Sequence, residues 1–136
     1  MVPSLKFSQA RNDLSRVVDG VLAGEPAVID RRGGRVLVTS FEEQRQLLDG
    51  CFQFHPDVRL GQPDGVYIWL PEFAIYGEAE TLEEAESDLL DEALVYVEEW
   101  FEELHSAPNH VSSRGWVWRL AMADDRDTAR RVLFGE

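Results

Sequence analysis

A chain of 136 residues has room for one ordinary domain or for two very small ones. Its composition, 44% hydrophobic and 29% charged, excludes a disordered chain. Cys51 is the only cysteine, which excludes a disulfide framework and a zinc site built on cysteines. No stretch approaches the roughly 20 apolar residues of a membrane span, and the N-terminus lacks the apolar core of a signal peptide. A soluble, cytoplasmic protein is therefore expected.

The net charge of −13 is unevenly distributed along the chain. Residues 1–50 hold seven Lys/Arg and seven Asp/Glu, whereas residues 51–136 hold six basic and nineteen acidic residues. The neutral first part, with its local basic clusters, is compatible with nucleic acid binding. The acidic remainder would repel nucleic acid and suits a basic protein partner.

The chain begins with a predicted helix and a predicted β-hairpin. Ser8 has the position of a helix N-cap, and the apolar spacing over residues 10–22 is that of a one-sided helix, which Gly24 ends. Two β-rich runs follow, and they are Ala27–Arg31 and Arg35–Thr39. The glycine pair Gly33-Gly34 between them favours a tight hairpin turn.

A second helix completes this part of the chain. Ser40 begins the sequence Ser-Phe-Glu-Glu, which is typical of a capping box in which Glu43 reaches back to the helix start. The helix is predicted to run to about Asp49, and Gly50 ends it. Residues 1–50 are therefore predicted to form a domain with the order α-β-β-α.

Residues 51–136 are predicted to form a second domain, with the order β-β-β-α-β-α, so that the whole chain is of the α+β class. The predicted strands are Cys51–Leu60, Val66–Pro71, Phe73–Glu78 and Trp116–Ala121. The segment Gly61–Gly65 has the composition of a turn between the first two strands. Thr81 begins a long amphipathic helix that extends to His105. A short helix over Asp127–Phe134 is predicted near the end.

A series of short motifs runs in order through the first 45 residues. They are Phe7-Ser8-Gln9-Ala10-Arg11, Leu14 and Val18, Gly24-Glu25-Pro26, Ile29-Asp30-Arg31-Arg32-Gly33-Gly34 and Val38-Thr39-Ser40. In this order and spacing the sequence resembles the Phd/YefM antitoxin family. The resemblance implies a homodimeric α/β head that binds a palindromic operator, and hence a repressor that regulates its own operon.

A second set of motifs lies in the acidic half of the chain. It consists of Val66-Tyr67-Ile68-Trp69-Leu70-Pro71-Glu72-Phe73 and Tyr76-Gly77-Glu78-Ala79-Glu80-Thr81-Leu82-Glu83-Glu84-Ala85. This half resembles the HicB antitoxin core, whereas Phd/YefM proteins usually end in a disordered or helical tail that folds onto the toxin. Both resemblances imply the antitoxin of a type II toxin–antitoxin system. The expected toxin is a RelE-like ribonuclease, with HicA-like and Doc-like toxins as alternatives.

Six basic residues at the first helix and the hairpin turn are candidates for DNA binding. They are Lys6, Arg11, Arg16, Arg31, Arg32 and Arg35. Arginine can take a phosphate or a guanine bidentately, and glycines let the backbone come close to phosphate. The family resemblance transfers the DNA-binding role first to Arg11 and Arg31. The alternative is that these side chains only solubilise a turn and a helix face.

The long helix supplies most of the candidates for toxin binding. Residues 81–105 include ten acidic residues and no Lys or Arg, which suits a basic toxin; the alternative is a solvated face. Alternation in the predicted strand Trp116–Ala121 puts its tryptophans on one face, which is a candidate contact for a toxin or a second subunit. The alternative is that the aromatic residues, including Trp100 on the apolar stripe of the long helix, belong to the core. The terminal segment Asp124–Glu136 is a further expected contact. The residues predicted to bind the toxin are Glu84, Asp88, Asp91, Glu98, Trp100, Glu102 and Trp118.

No pattern in the sequence predicts catalysis or a cofactor. His55, His105 and His110 are too few and too oddly spaced for a metal site. Ser112-Ser113 and Cys51 lie near histidines, but no nucleophile motif surrounds them. A non-enzymatic protein without cofactor is expected. The rival interpretation is a stand-alone HicB-like protein-binding or scaffold domain that does not bind DNA.

Overall fold

A computed structural model describes residues 2, 4–61 and 65–135. The chain divides into two compact units, an N-terminal unit of Met1–Leu47 and a C-terminal unit of Leu48–Glu136. The described residues form two three-stranded sheets and six α-helices, which confirms the mixed α+β class. None of the described helices has the length and apolarity needed to cross a membrane.

The N-terminal unit contains more elements than the sequence predicts. In chain order they are β1 (Ser4–Lys6), α1 (Phe7–Asn12), α2 (Leu14–Leu22), β2 (Ala27–Arg31), β3 (Gly34–Val38) and α3 (Phe41–Cys51), the last of which continues into the C-terminal unit. Strand β1 was not predicted, and the single first helix is two helices that meet at Asp13. The N-cap of α1 is Lys6 rather than Ser8, and its backbone N–H donates to Gln9 Oε1 at 3.1 Å.

Strand β2 is the centre of the first sheet, with β1 parallel on one side and β3 antiparallel on the other. Arg31 pairs with Gly34, so that Arg32 and Gly33 form a two-residue hairpin turn. Gly33 has φ +72°, a conformation that disfavours residues with a Cβ. The predicted hairpin is therefore confirmed, but its turn is Arg32-Gly33 and not the pair Gly33-Gly34, because Gly34 already belongs to β3.

The C-terminal unit is a β-meander covered by helices. Its elements are β4 (Asp57–Leu60), β5 (Val66–Leu70), β6 (Ile75–Ala79), α4 (Leu82–Glu102), α5 (Arg114–Ala121) and α6 (Arg126–Phe134), with two turns of 3₁₀ helix at Leu104–Ser106 and Val111–Ser113. The strands are antiparallel in the order β4-β5-β6. The main core of the unit is formed by buried side chains of β5, α4, α5 and α6, among them Ile68, Leu89, Val117 and Leu133.

Two predicted helix starts are confirmed by their side-chain hydrogen bonds. Ser40 Oγ accepts from the Glu43 backbone N–H at 3.2 Å, and Thr81 Oγ1 accepts from the Glu84 backbone N–H at 3.3 Å. Each bond satisfies one of the backbone donors that a helix start leaves without a partner.

The predicted strand Trp116–Ala121 is wrong, because this segment belongs to helix α5. Val117 and Leu120 are both fully buried, which is the three-residue spacing of a helix face and not the two-residue spacing of a strand. The order of the second half is therefore β-β-β-α-α-α. Six residues rich in tryptophan and valine fit either pattern, and packing against α4 decides between them.

Two other strands are shorter or shifted relative to their predictions. Residues 51–60 form a strand only from Asp57, because α3 extends to Cys51. The predicted strand Phe73–Glu78 begins at Ile75, after a turn in which Ala74 has φ +54°. The predicted turn after β4 closes with a Gly61 N–H to Gly65 C=O hydrogen bond of 2.8 Å, while residues 62–64 lie outside the described residues.

Sheet and helix approach each other closely at Gly77 of β6 in the C-terminal unit. A Cβ at this position would lie 2.5 Å from the Leu89 backbone N and 2.7 Å from the Ala85 carbonyl O of α4. These are backbone atoms, which side-chain rotation cannot move away. Strand β6 can therefore pack directly on α4 only because it has no side chain at this point.

We predict that Gly77→Ala lowers the free energy of unfolding by about 2 kcal/mol, the usual scale of overpacking in a core. Gly50→Ala is the matched control, since a Cβ at Gly50 in helix α3 would meet no described atom within 4 Å apart from its chain neighbours and the backbone of its own helix. Alanine there should be neutral or slightly stabilising. Urea denaturation of both variants measures the difference, and equal stability of the two would contradict the packing at Gly77.

Candidate functional site

Basic side chains gather at one end of the N-terminal sheet. Lys6, the last residue of β1, pairs in register with Asp30 of β2, next to the hairpin turn. The Arg31 guanidinium lies 4.2 Å from the ring centroid of Phe7, the first residue of α1. Arg11 follows Phe7 by one helical turn and lies on the same side of α1. We call this group the basic end, and it consists of Lys6, Arg11, Arg31, Arg32 and Arg35.

One carboxylate lies within the basic end. Arg35 Nε is 3.2 Å from Asp30 Oδ1, and the Ser4 hydroxyl donates a hydrogen bond to the same carboxylate. The Ser4 hydrogen bond, and after it Arg35, lower the pKa of Asp30 below its usual value, so that it stays ionised and neutralises Arg35. Four cationic side chains of the basic end have no ion-pair partner among the described residues.

Arg16 does not belong to this group, although the sequence suggested it. Its side chain lines a shallow cavity with Val17 and Ala27. Ala27 and Arg31 are the two ends of β2, which are roughly 13 Å apart along the strand. Arg16 is therefore separated from the hairpin turn by the length of the sheet.

The long helix α4 exposes one continuous acidic face. Its members follow a spacing of four and three residues and therefore lie in line along the helix. We call this face the acidic stripe, and it consists of Glu84, Asp88, Asp91, Val95, Glu98 and Glu102. Val95 is the apolar exception at its centre and is half exposed.

Two residues in the first half of the acidic stripe form hydrogen bonds within the C-terminal unit. Asp88 Oδ2 accepts the Glu78 backbone N–H at 2.9 Å, and Asp91 Oδ1 accepts from Arg126 at 2.6 Å. Beyond Val95, neither Glu98 nor Glu102 has a hydrogen bond or ion pair with another described side chain. The second half of the stripe is therefore open to a partner.

The two tryptophans predicted to bind the toxin have different environments. Trp100 is 4% exposed, and its Nε1–H donates to the His110 carbonyl O at 3.1 Å. It is a core residue that cannot reach a partner in the folded unit, and we remove it from the candidate surface. Trp118 lies on the exposed side of α5, with the Arg114 guanidinium 5.6 Å from its ring.

The terminal segment Asp124–Glu136 is a packed helix over most of its length. Ala129 and Leu133 of α6 are buried in the core of the unit, and Arg130 forms an ion pair with Glu86 of α4. The Thr128 backbone N–H donates to Asp125 at the helix start and lowers the pKa of that carboxyl. These contacts hold the segment to α4, so it differs from the loose tail of Phd/YefM proteins. Glu136 itself lies outside the described residues.

Helix α2 carries a second apolar face that sequence reasoning did not separate from the core. Its inner face, with Val17 and Val21, is buried. Leu14, Val18 and Leu22 are 58%, 42% and 73% exposed, and their spacing of four residues places them in line. We call these three residues the outer apolar stripe. Its signal in the sequence is an apolar pattern wider than one buried face needs.

Ser113 and His110 belong to a hydrogen-bond network with Tyr96 in the C-terminal unit. Ser113 Oγ donates to the His110 carbonyl O at 2.8 Å, and the Tyr96 hydroxyl lies 2.9 Å from both Ser113 Oγ and His110 Nδ1. This network ties the loop before α5 to helix α4. Within the described ranges, no three His, Cys, Asp or Glu side chains are grouped as a metal site.

Comparison with known proteins gives one family and one solved structure. A PHD-like family model, described as the antitoxin of a RelE/RelB toxin–antitoxin system, matches residues 1–133. The crystal structure of a chain described as an antitoxin part of a toxin/antitoxin system from Syntrophomonas wolfei subsp. wolfei has a TM-score of 0.85, with 16% identity over 96% of each chain. A search of curated proteins found no match.

A single family model thus spans both units, where the sequence suggested a Phd/YefM head joined to a HicB-like half. The structural likeness shows that the fold is shared over the same length. Antitoxins are regulatory proteins that act on a cognate toxin. The chain belongs to the PHD-like antitoxin family of RelE/RelB toxin–antitoxin systems.

Proposed function

We propose that this antitoxin is a homodimer that represses its own operon through its N-terminal unit and neutralises a RelE-like ribonuclease through its C-terminal unit. The observation that carries the proposal is the basic end, where separate elements bring five cationic side chains beside one hairpin turn. The family description, which names RelE/RelB systems, supports a RelE-like toxin over a HicA-like or a Doc-like one.

The charges of the two units support a division between DNA and toxin. Residues 1–47 contain seven basic and six acidic residues, whereas residues 48–136 contain six basic and twenty acidic residues. DNA carries a dense negative charge, so only the N-terminal unit presents a favourable surface to it. A dimer would present eight cationic side chains, four from each chain, that have no ion-pair partner among the described residues, and operator binding should weaken steeply as salt concentration rises.

The outer apolar stripe of α2 is the surface that supports the homodimer. Leu14, Val18 and Leu22 form an exposed apolar row on a unit whose own core is small. A second copy can cover this row about a twofold axis, because a twofold contact buries the same residues on both chains. The two basic ends would then act on the two halves of a palindromic operator.

The second half of the acidic stripe supports toxin binding. Glu98 and Glu102 follow the exposed Val95 along α4, which combines an apolar contact with charges that attract a basic protein. Trp118 on α5 is a further exposed aromatic side chain of the same unit. Binding at this surface would sterically cover the active surface of a basic toxin. No chemical step would be needed.

The DNA surface is tested by removing Arg11 and Arg31 together. We expect Arg11→Ala/Arg31→Ala to bind the operator of its own promoter at least about 100-fold more weakly in a mobility-shift titration, since each arginine contact contributes about 1–3 kcal/mol. Arg16→Ala is the matched control and should bind within about twofold of wild type. Circular dichroism checks that the fold is intact. Wild-type affinity of the double variant would remove the basic end as the DNA surface.

The dimer surface is tested by a charge on the outer apolar stripe. Leu22 is largely exposed, so Leu22→Lys should fold normally and lose one step of self-association, halving the mass measured by sedimentation equilibrium. Operator affinity should fall with it. Leu47→Lys, at another exposed leucine, is the control and should keep the wild-type mass. If Leu22→Lys sediments as the wild type does, the dimer uses another surface.

The toxin surface is tested by reversing one charge. We expect Glu98→Lys to bind the toxin encoded in the same operon at least about tenfold more weakly in a titration at low salt, mainly through slower association. Glu80→Lys makes the same change in net charge at an exposed site outside the acidic stripe and should bind as wild type does. Equal weakening by both variants would indicate a general effect of net charge and not a contact at Glu98.

A further inference from the structure

Strand β4 leaves one edge of the C-terminal sheet open. It pairs with β5 on one side, and no described strand pairs with its other side. All of Asp57–Leu60 is exposed, including the apolar Val58 at 50% and Leu60 at 84%. Short strands, charges and proline usually protect a sheet edge from pairing with another chain, and β4 has all three, since it is four residues long, contains Asp57 and Arg59 and follows Pro56. Its exposed apolar side chains are the features that favour pairing.

The backbone groups at this edge can be assigned from the hydrogen bonds on the other side. The Gly61 N–H donates to the Gly65 carbonyl O, so the backbone of Gly61 is directed towards β5. Backbone groups of consecutive residues alternate in an antiparallel strand. Arg59 therefore also faces β5, whereas the N–H and C=O groups of Val58 and Leu60 face outward.

The side chains of β4 are complementary to those of a second β4. If two copies run antiparallel about a twofold axis at Val58, each Val58 exchanges its outward N–H and C=O with the other. Asp57 then lies opposite Arg59 of the second copy, so that two Asp–Arg pairs cross the twofold axis. Leu60 lies opposite Pro56, whose carbonyl O can accept the Leu60 N–H, whereas Pro56 has no N–H to donate to the Leu60 carbonyl O.

The neighbouring twofold registers are unfavourable. An axis at Asp57 would place the two Asp57 carboxylates directly opposite each other, and an axis at Arg59 would do the same with the two guanidiniums. Like charges in this position destabilise a strand pair. Arg59 and Asp57 already lie on one face, since Arg59 Nη2 is 2.8 Å from Asp57 Oδ2 within the strand. The charge pattern thus disfavours the two registers that neighbour the one centred on Val58.

We infer that β4 pairs antiparallel with β4 of a second copy of this chain, centred on Val58, and joins two three-stranded sheets into one of six strands. This contact is independent of the outer apolar stripe and of DNA and toxin binding. A strand pair this short is weak by itself, and a second self-contact elsewhere on the chain would raise its effective concentration. The antitoxin would then assemble beyond a dimer.

The charge pairing is tested with two single reversals and their mixture. Arg59→Asp gives a strand with two negative residues and Asp57→Arg a strand with two positive ones. Each variant alone should self-associate about tenfold more weakly than wild type in sedimentation equilibrium of the full chain. An equimolar mixture should regain wild-type association, because unlike strands now face each other. Wild-type behaviour of the single variants, or no recovery on mixing, would overturn the inference.

The backbone pairing is tested with Val58→Pro. Proline removes the outward N–H and leaves the hydrogen bonds to β5 in place, so the free energy of unfolding should change little while association at β4 is lost. Val58→Thr keeps the N–H and is the control. Undiminished association of Val58→Pro would exclude the strand pair.

The β4 contact and the contact at the outer apolar stripe can be tested separately. Arg59→Asp should keep its mobility shift on operator DNA, and Leu22→Lys should still lose a further step of association when Arg59→Asp is added. If the protein does not bind operator DNA but the mixture of Arg59→Asp and Asp57→Arg regains wild-type association, the repressor role is contradicted and the β4 contact is supported. The opposite result would contradict only the β4 contact.

Discussion

The close packing of α4 on strand β6 is the contact on which the C-terminal unit depends. Helix α4 contains nine acidic residues and no Lys or Arg, and like charges one turn apart weaken an isolated helix. Its stability must come from its buried face, and Gly77 lets that face approach the sheet directly. Because this face of α4 packs in the core, the opposite face is exposed to solvent.

Helix α6 decides how much of that acidic surface remains free. Arg126 and Arg130 pair with Asp91 and Glu86 near the first half of α4, so part of the negative charge is balanced within the chain. The half beyond Val95 receives no such cation from the described residues. A helix that is acidic throughout in sequence thus has one half stabilised internally and one half suited to a basic partner.

The N-terminal unit differs from the C-terminal unit in charge, in core size and in the surfaces that it exposes. Its charge is close to neutral, its core is small, and it exposes both a basic end and an outer apolar stripe. A small unit with an uncovered apolar row gains stability from a second subunit. Dimerisation and operator binding are therefore linked in the proposal, since the twofold contact that buries Leu22 also provides the dimer with a second basic end.

The sequence by itself determined the features that depend on neighbouring residues. The sequence predicts the helix caps Ser40 and Thr81 and the hairpin that contains Gly33. Caps and two-residue turns are set by residues that lie three or four positions apart. Only the tertiary structure decided that Trp116–Ala121 is helical. A short apolar run fits more than one local structure, and its choice depends on the side chains that pack against it from distant parts of the chain.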